Sequence, residues 1–189
     1  MKRLFRLSII TMLITIMEVV PAFAYAANKL AVGWYSMAIY DLSSTGPVNY
    51  LYRDITGDGI YDAITESSTY MGGSGRTVTI FTFRNDKLTV MLKENIYMLS
   101  DVYVYKANHS LVLYAFGHGH SEYDYYKIVN GVYYKVAYRY RLDGGKWVYY
   151  NSYGKKISKE KFNSIVKKVM KGKKETISIS EFKTSEMQF

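Results

Sequence analysis

Between Val48 and Tyr150 the chain is a succession of short runs rich in β-branched and aromatic residues, each cut off by a turn signal. The runs are VNYLYRDI, IYDAITE, TVTIFTF, KLTVML, DVYVYKA, LVLYAF, EYDYYKIV, VYYKVAYRYRL and KWVYY. Between them fall MGGSG, RND, NHS, GHGHS, NG and DGG. Branched and aromatic side chains suit a pleated, half-buried surface, and Gly, Asn and Asp supply the backbone angles that reverse a chain. Asn130-Gly131 is the strongest hairpin signal, because both residues tolerate the left-handed turn that two adjacent strands require. The segments TIFTFRNDKLTVML and YYKIVNGVYYKVAY both read as strand, tight turn, strand, and each follows a Gly-rich loop. Two blade-like units would give that repeat. An ordinary antiparallel meander gives it as well, and is the reading adopted.

Both flanks are helical. In LAVGWYSMAIYDL, residues 30–42, the positions Leu30, Trp34, Met37 and Ala38 fall at helical spacing and predict the buried stripe of a short amphipathic helix. SSTGP, residues 43–47, ends it. Ser158 can cap KEKFNSIVKKVMK, in which Phe162, Ile165, Val166, Val169 and Met170 form a full apolar stripe. Lys167, Lys168 and Lys171 then sit where cations favour the helix dipole, and Gly172 is the expected stop.

Residues 1–27 have the layout of a secretory signal peptide: Lys2, Arg3 and Arg6, an apolar run from Leu7 to Val20, then small residues around Ala22, Ala24 and Ala26. The expected mature chain begins between Tyr25 and Asn28. It comprises one domain over 28–175 and a tail, 176–189, that adds an edge strand or stays loose. There is no cysteine, which excludes a disulfide framework and a lipid anchor on cysteine. The net charge of +9 falls to about +7 without the signal peptide. Most of that lies beyond Asn151, where ten lysines face four glutamates. The body of the protein is close to neutral, so a pI near 9.4 does not describe a nucleic-acid binder.

Catalytic material is sparse. The chain has three histidines, no cysteine and no G-x-S-x-G. GHGHSEYD spaces His118, His120, Glu122 and Asp124 by two, a pattern for zinc on one strand face, but the glycines favour a solvated turn at its start. GGSGR, residues 72–76, offers backbone amides to an anion, yet precedes a strand rather than a helix and is no P-loop. The 21 tyrosines lie on both faces of their strands, so one face is core and the other sets Tyr beside Lys and Arg. Such a surface suits sugars or protein contacts. The lysine-rich helix suits a polyanion.

The stretch RDITGDGIYDAI, residues 53–64, is the sharpest feature. It puts Asp54, Thr56, Asp58 and Asp62 at positions 1, 3, 5 and 9 of a loop, with Gly59 at the bend and the Ile60 carbonyl at position 7. Calcium takes six to eight oxygens, and these five residues supply most of them. Position 12, the bidentate Glu of an EF-hand, is Thr65, and the flanks are strands, so an EF-hand is excluded. The loop resembles the D-x-D-x-D-G-x-x-D hairpin loop of FG-GAP and VCBS-type repeats, with Thr56 departing from the usual Asp or Asn. That resemblance implies calcium binding, which the uncharged Thr56 and the neighbouring Arg53 reduce to a weak, extracellular-type affinity; the other reading of the loop is an Asp/Gly-rich turn that binds nothing. Over nearly the whole mature chain, Trp34 to Leu42, YLYRDITGDGIYDAI, IFTFRNDKLTVM, YYKIVNGVYYKVA and YYNSYGKKISKEKFN together resemble a group of small secreted or lipid-anchored proteins of Gram-positive bacteria. This chain has Asp62-Ala63 where that group has Glu-Leu, and lacks its lipobox cysteine. The group implies architecture and compartment, not a reaction.

The expectation is therefore an α+β protein: a Tyr-rich antiparallel sheet, an N-terminal helix, and a C-terminal amphipathic helix docked on it. Two functions follow. One is a secreted or wall-associated, non-catalytic binding module with a calcium-stiffened loop. Its partner is a polyanion, a glycan or a protein, and its mature chain has no transmembrane segment. The other is a secreted hydrolase of envelope or host glycans. A pair of carboxylates in a cleft would favour the hydrolase; a flat Tyr/Lys face would favour the binding module.

Overall fold

The turn residues fix where the chain reverses. Asn85 and Asp86, His118 and Gly119, and Asn130 and Gly131 all carry positive φ. Each pair forms a two-residue turn whose twist matches that of the strands it joins. A computed structural model of the protein describes residues 24–68 and 75–185. The residues before 24, and hence most of the expected signal peptide, lie outside the described residues, as do residues 72–74 of GGSGR.

The fold is α+β. A helix spanning 24–43, α1, leads into β1 (Val48–Arg53), β2 (Asp62–Ser68), β3 (Arg76–Arg84) and β4 (Lys87–Ile96). There follow β5 (Leu99–Tyr105), β6 (Ser110–Gly117), β7 (His120–Val129), β8 (Val132–Leu142), β9 (Val148–Asn151) and β10 (Lys156–Ile157). Helix α2 (Lys159–Val169), β11 (Lys174–Ser178) and β12 (Lys183–Ser185) complete the described chain. All pairing is antiparallel, and strands mostly neighbour their sequence neighbours, as in a meander. The meander is split into two sheets, ordered β12-β1-β2-β3-β4 and β10-β9-β8-β7-β6-β5-β11. The tail supplies an edge strand to each: β11 pairs with β5 and β12 with β1.

Alternation along the strands produces four layers. Ile64, Val78, Ile80 and Leu92 of the first sheet meet Val102, Val104, Leu111 and Leu113 of the second in the central core. The outer face of the first sheet takes α1, through Ala31, Tyr35 and Ile39 against Val48, Ala63, Phe81 and Phe83. The outer face of the second takes α2, through Phe162 against Val112, Tyr125 and Ala137.

The first helix turns a different stripe inward from the one predicted. Leu30, Trp34 and Met37 are 49%, 42% and 62% exposed, whereas Ala31, Tyr35 and Ile39 are buried. Two apolar stripes one residue apart share the same period, so spacing alone does not choose between them. Tyr35 decides it: its ring fills the core and its hydroxyl donates to the Tyr61 carbonyl at 2.6 Å.

Helix α2 follows its sequence signals. The Ser158 side chain accepts from Lys161 N, and Lys167 and Lys168 occupy the last turn. The Val169 carbonyl, left open at the C-terminus, accepts from Asn108 Nδ2 at 2.6 Å and Ser110 Oγ at 3.2 Å. Phe162 packs edge-on to Tyr125, with ring centroids 5.3 Å apart, and against Tyr149. Phe162→Ala should cost about 3 kcal/mol, the cost of a large core truncation. Urea unfolding of both proteins checks this, and a change below about 0.5 kcal/mol would mean that α2 is not docked.

Candidate functional site

The loop joining β1 and β2, residues 54–61, springs from the Arg53–Asp62 pair of the hairpin. Its curvature comes from Gly57 and Gly59, at φ 76° and 82°. Gly57 has a second constraint, since a Cβ there would lie 2.2 Å from Cε1 of His109. His109 belongs to the β5–β6 turn, and its Nδ1 lies 3.1 Å from the Ile55 carbonyl oxygen. Tyr133 in turn donates to the His109 carbonyl. From α1, the Asn28 side chain brackets the far side of the loop: Oδ1 accepts from Tyr61 N at 2.6 Å and Nδ2 donates to the Gly59 carbonyl at 3.2 Å. One loop thus ties α1 and both sheets together.

The acidic side chains hold this loop's backbone. Asp54 accepts from Gly57 N and Gly59 N, at 2.6 and 2.9 Å. Asp58 accepts from Ile60 N through one oxygen, while the other pairs with Arg84 Nε at 3.1 Å. Asp62 is fully buried, and its Oδ2 accepts from Ile55 N and Thr56 N, both at 3.0 Å. Its Oδ1 has no partner, and neither does the buried hydroxyl of Thr56. Thr82 stands close enough to favour the ionised carboxylate, but its hydroxyl falls outside hydrogen-bond geometry. Burial outweighs the amides and lifts the Asp62 carboxyl to about 6. Among the described residues no three acidic or histidine side chains converge as metal ligands. Asp54 and Asp58 turn toward amides and Arg84, and Asp62 is buried at the base of the loop.

A second concentration of polar groups bridges the sheets. Lys135 on β8 lies 3.1 Å from Asp124 of β7 and 3.3 Å from Glu94 of β4. The Tyr126 hydroxyl donates to Glu94 at 3.2 Å and approaches Asp124 at 3.4 Å. Burial drives the Asp124 carboxyl up to about 7, against the pull of Lys135. Burial also pushes the Lys135 ammonium down, but Asp124 and Glu94 outweigh it and hold it above its ordinary value. The two directions agree once exposure is considered: the Asp124 side chain is 3% exposed and that of Lys135 25%, so desolvation falls mainly on the acid. Asp124 and Glu94 form a carboxylate pair of the kind a hydrolase would need. Asp124 is sealed from solvent, and the lysine between the two occupies the place a substrate would need.

The GHGHSEYD segment is more ordered than its glycines suggest. β7 begins at His120, so His120, Glu122 and Asp124 do share one strand face, and His118 stays in the turn. His120 and Glu122 pair at 3.2 Å, whereas Asp124 is committed to Lys135.

The outer face of the second sheet, beside α2, sets half-buried aromatic rings beside basic residues, of which Arg141 and Lys174 are exposed. Tyr114 and Tyr123 stack at 4.4 Å, and Tyr103 continues the row 6.5 Å from Tyr123. The Arg139 guanidinium lies 4.5 and 4.6 Å from the ring centroids of Tyr123 and Trp147, which meet each other at 5.6 Å. Arg141 lies over Trp147, and Lys174 over Tyr103 at 4.2 Å. Among the described residues, none of Arg139, Arg141 and Lys174 pairs with a carboxylate. The alternation in VYYKVAYRYRL pointed to a Tyr/basic face, which Trp147 joins through the β8–β9 hairpin, but the role of Lys174 depends on β11 returning from a distant segment to pair with β5. Asn28, Arg84 and His109 were likewise invisible around the acidic loop.

Comparison with protein-family profiles, with curated proteins and with solved structures returns no match. Among the described residues no helix is long and apolar enough to cross a membrane.

Proposed function

We propose that the protein is a secreted, non-catalytic binding module of the bacterial envelope or extracellular space. In this reading the outer face of the second sheet holds a glycan or anionic polymer, and the Asp54–Asp62 loop takes calcium weakly. The observation that carries it is the row of Tyr103, Tyr114, Tyr123 and Trp147 interleaved with Arg139, Arg141 and Lys174, cations with no acidic partner among the described residues. Aromatic rings gain from stacking on apolar sugar faces, and unpaired cations add attraction for anionic substituents. The exposed lysines of α2 extend the same positive field. The sealing of Asp124 and its commitment to Lys135 weigh against the hydrolase. A screen of the mature protein against immobilised glycans and cell-wall polymers tests this, with Trp147→Ala as the variant expected to lose binding. Binding unaffected by Trp147→Ala would move the ligand elsewhere.

The loop's donor set suits calcium. Thr56 Oγ1 and Asp62 Oδ1 are buried oxygens without partners, and the partly exposed Asp54 and Asp58 carboxylates retain lone pairs beyond their present hydrogen bonds. With the Ile60 carbonyl, these are the five residues that would hold the ion. An ion that binds only the folded state adds about 1.4 kcal/mol at ten times its Kd. With Kd of order 10⁻⁴ to 10⁻³ M, millimolar calcium should raise Tm by several degrees, and magnesium by less. Asp58→Ala should abolish the response while costing little in chelator, because its pair with Arg84 is partly exposed. Thermal melts with calcium titrated to about 10 mM check both; an equal shift in the variant, or none in the wild type, would make the loop a turn only.

A further inference from the structure

The outer face of the second sheet contains a recess of about 230 Å³, walled by Tyr103, Tyr105, Tyr123, Tyr125, Arg139 and Lys174, with Val112 at its base. Its chemistry is one-sided. Two cations enter it and no carboxylate lines it. Asp101, which accepts from the Tyr103 hydroxyl at 3.4 Å and from Ser100 at 3.3 Å, is not part of the lining. Arg139 packs its guanidinium against the adjoining rings of Tyr123 and Trp147, whose centroids are 5.6 Å apart, and this contact limits the freedom it has left to lose. Its Nε is buried and has no hydrogen-bond acceptor. A buried, unpaired donor on a charged group is costly, and a water, an ion or a ligand oxygen that reaches it relieves the cost.

We infer that this recess binds one oxyanion group, a phosphate or sulfate ester, carried by the polymer or glycan that lies along the aromatic face. The inference rests on the reading of that face as the binding surface, and names the charged substituent it selects. Arg139 supplies guanidinium N–H donors, Lys174 the mobile counter-charge, and the hydroxyls of Tyr105, Tyr123 and Tyr125 the remaining donors. Burial keeps these three phenols above their ordinary values, so they stay protonated and able to donate at neutral pH. The recess is smaller than a pocket that engulfs a whole drug-sized ligand, which fits a side group rather than a complete molecule. A neutral sugar hydroxyl can also accept from Arg139 but leaves both cations of the recess without a counter-charge, so selection for the anion follows from the charge of the lining.

The experiment is an NMR titration of the mature protein that follows the Arg139 Nε–H resonance. The probes are glycerol phosphate, a sulfated disaccharide, and the same disaccharide without sulfate. A phosphate or sulfate ester should shift Arg139 Nε–H saturably, and the neutral sugar should not. The stronger of the two ester responses identifies the group. Arg139→Gln and Lys174→Gln should each weaken ester binding roughly tenfold or more, as loss of a charge-assisted hydrogen bond does. Arg141→Gln, which leaves Trp147 without touching the recess, should weaken it far less. Lys174 is exposed, so its variant remains informative if Arg139→Gln does not fold. Ester binding that leaves Arg139 Nε–H unmoved, or that falls equally in all three variants, overturns the inference in favour of diffuse attraction. The neutral disaccharide binding as well as its sulfated form would also overturn it, while leaving the aromatic face as the binding surface; loss of all binding along the face would defeat both.

Discussion

Replacing Lys135 by Met should destabilise the protein by about 4 kcal/mol at pH 8, because it leaves two carboxylates facing each other with no cation between them. Glu94 comes from the first sheet, and Asp124 and Lys135 from the second, so the lysine is also an electrostatic tie between the sheets. Its removal strands Asp124, whose Oδ1 already has no partner and whose side chain is 3% exposed. The cost should shrink on acidification. Asp124 has its folded value raised to about 7 from an ordinary 3.8, so its contribution is fully present below pH 3.8 and is lost as pH rises through 7. Without Lys135 the folded value rises further, and the variant's stability should fall more steeply between pH 5 and 8 than that of the wild type. The double variant Lys135→Met/Asp124→Leu should recover most of the loss, because neither charge then remains buried. Urea melts of the three proteins at pH 5 and pH 8 measure this. A cost below about 1 kcal/mol at pH 8 would mean that the cluster is open to water.

What could be read from the sequence was what local chemistry determines. Turn residues at Asn85-Asp86 and Asn130-Gly131 marked the hairpins, because positive φ is a property of the residue and needs no distant partner. Ser158 and the Phe162 stripe marked α2 in the same way. The division into two sheets was hidden, since a meander reads identically whether β4 and β5 stay in one sheet or part company. The inward face of α1 was hidden because two apolar stripes compete, and only the Tyr61 carbonyl settles which one turns in. The five loop donors Asp54, Thr56, Asp58, Ile60 and Asp62 were legible as a pattern. Their present partners were not, because Arg84, Asn28 and His109 reach the loop from other elements. The same holds for Arg139 and Lys174, which lie 35 residues apart in the sequence and meet only because β11 returns to pair with β5.

Asp62 is the residue where loop structure and ion binding separate, and its two variants should behave oppositely. Asp62→Ala removes the acceptor for the Ile55 and Thr56 amides, both of which belong to buried residues. Two buried donors left unpaired at roughly 1–3 kcal/mol each predict a loss of about 4 kcal/mol, in chelator and in calcium alike. Asp62→Asn keeps an oxygen for both amides and removes a charge that burial disfavours. The folded carboxyl stands near 6 against an ordinary 3.8, so ionising it above pH 6 costs the folded state on the order of 3 kcal/mol. The sign follows: the wild type should lose stability as pH rises from 3.8 through 6, and Asp62→Asn should flatten that slope and equal or exceed the wild type in chelator at pH 7. In calcium the order should reverse, because the ion favours the carboxylate and the amide is a poorer ligand. The wild type should gain stability with calcium, and Asp62→Asn should not. Urea melts of all three proteins with chelator and with calcium, across pH 4 to 8, decide the matter. If Asp62→Asn loses as much as Asp62→Ala, the carboxylate charge itself holds the loop. If Asp62→Asn keeps the full calcium shift, Asp62 is a backbone brace and no ligand.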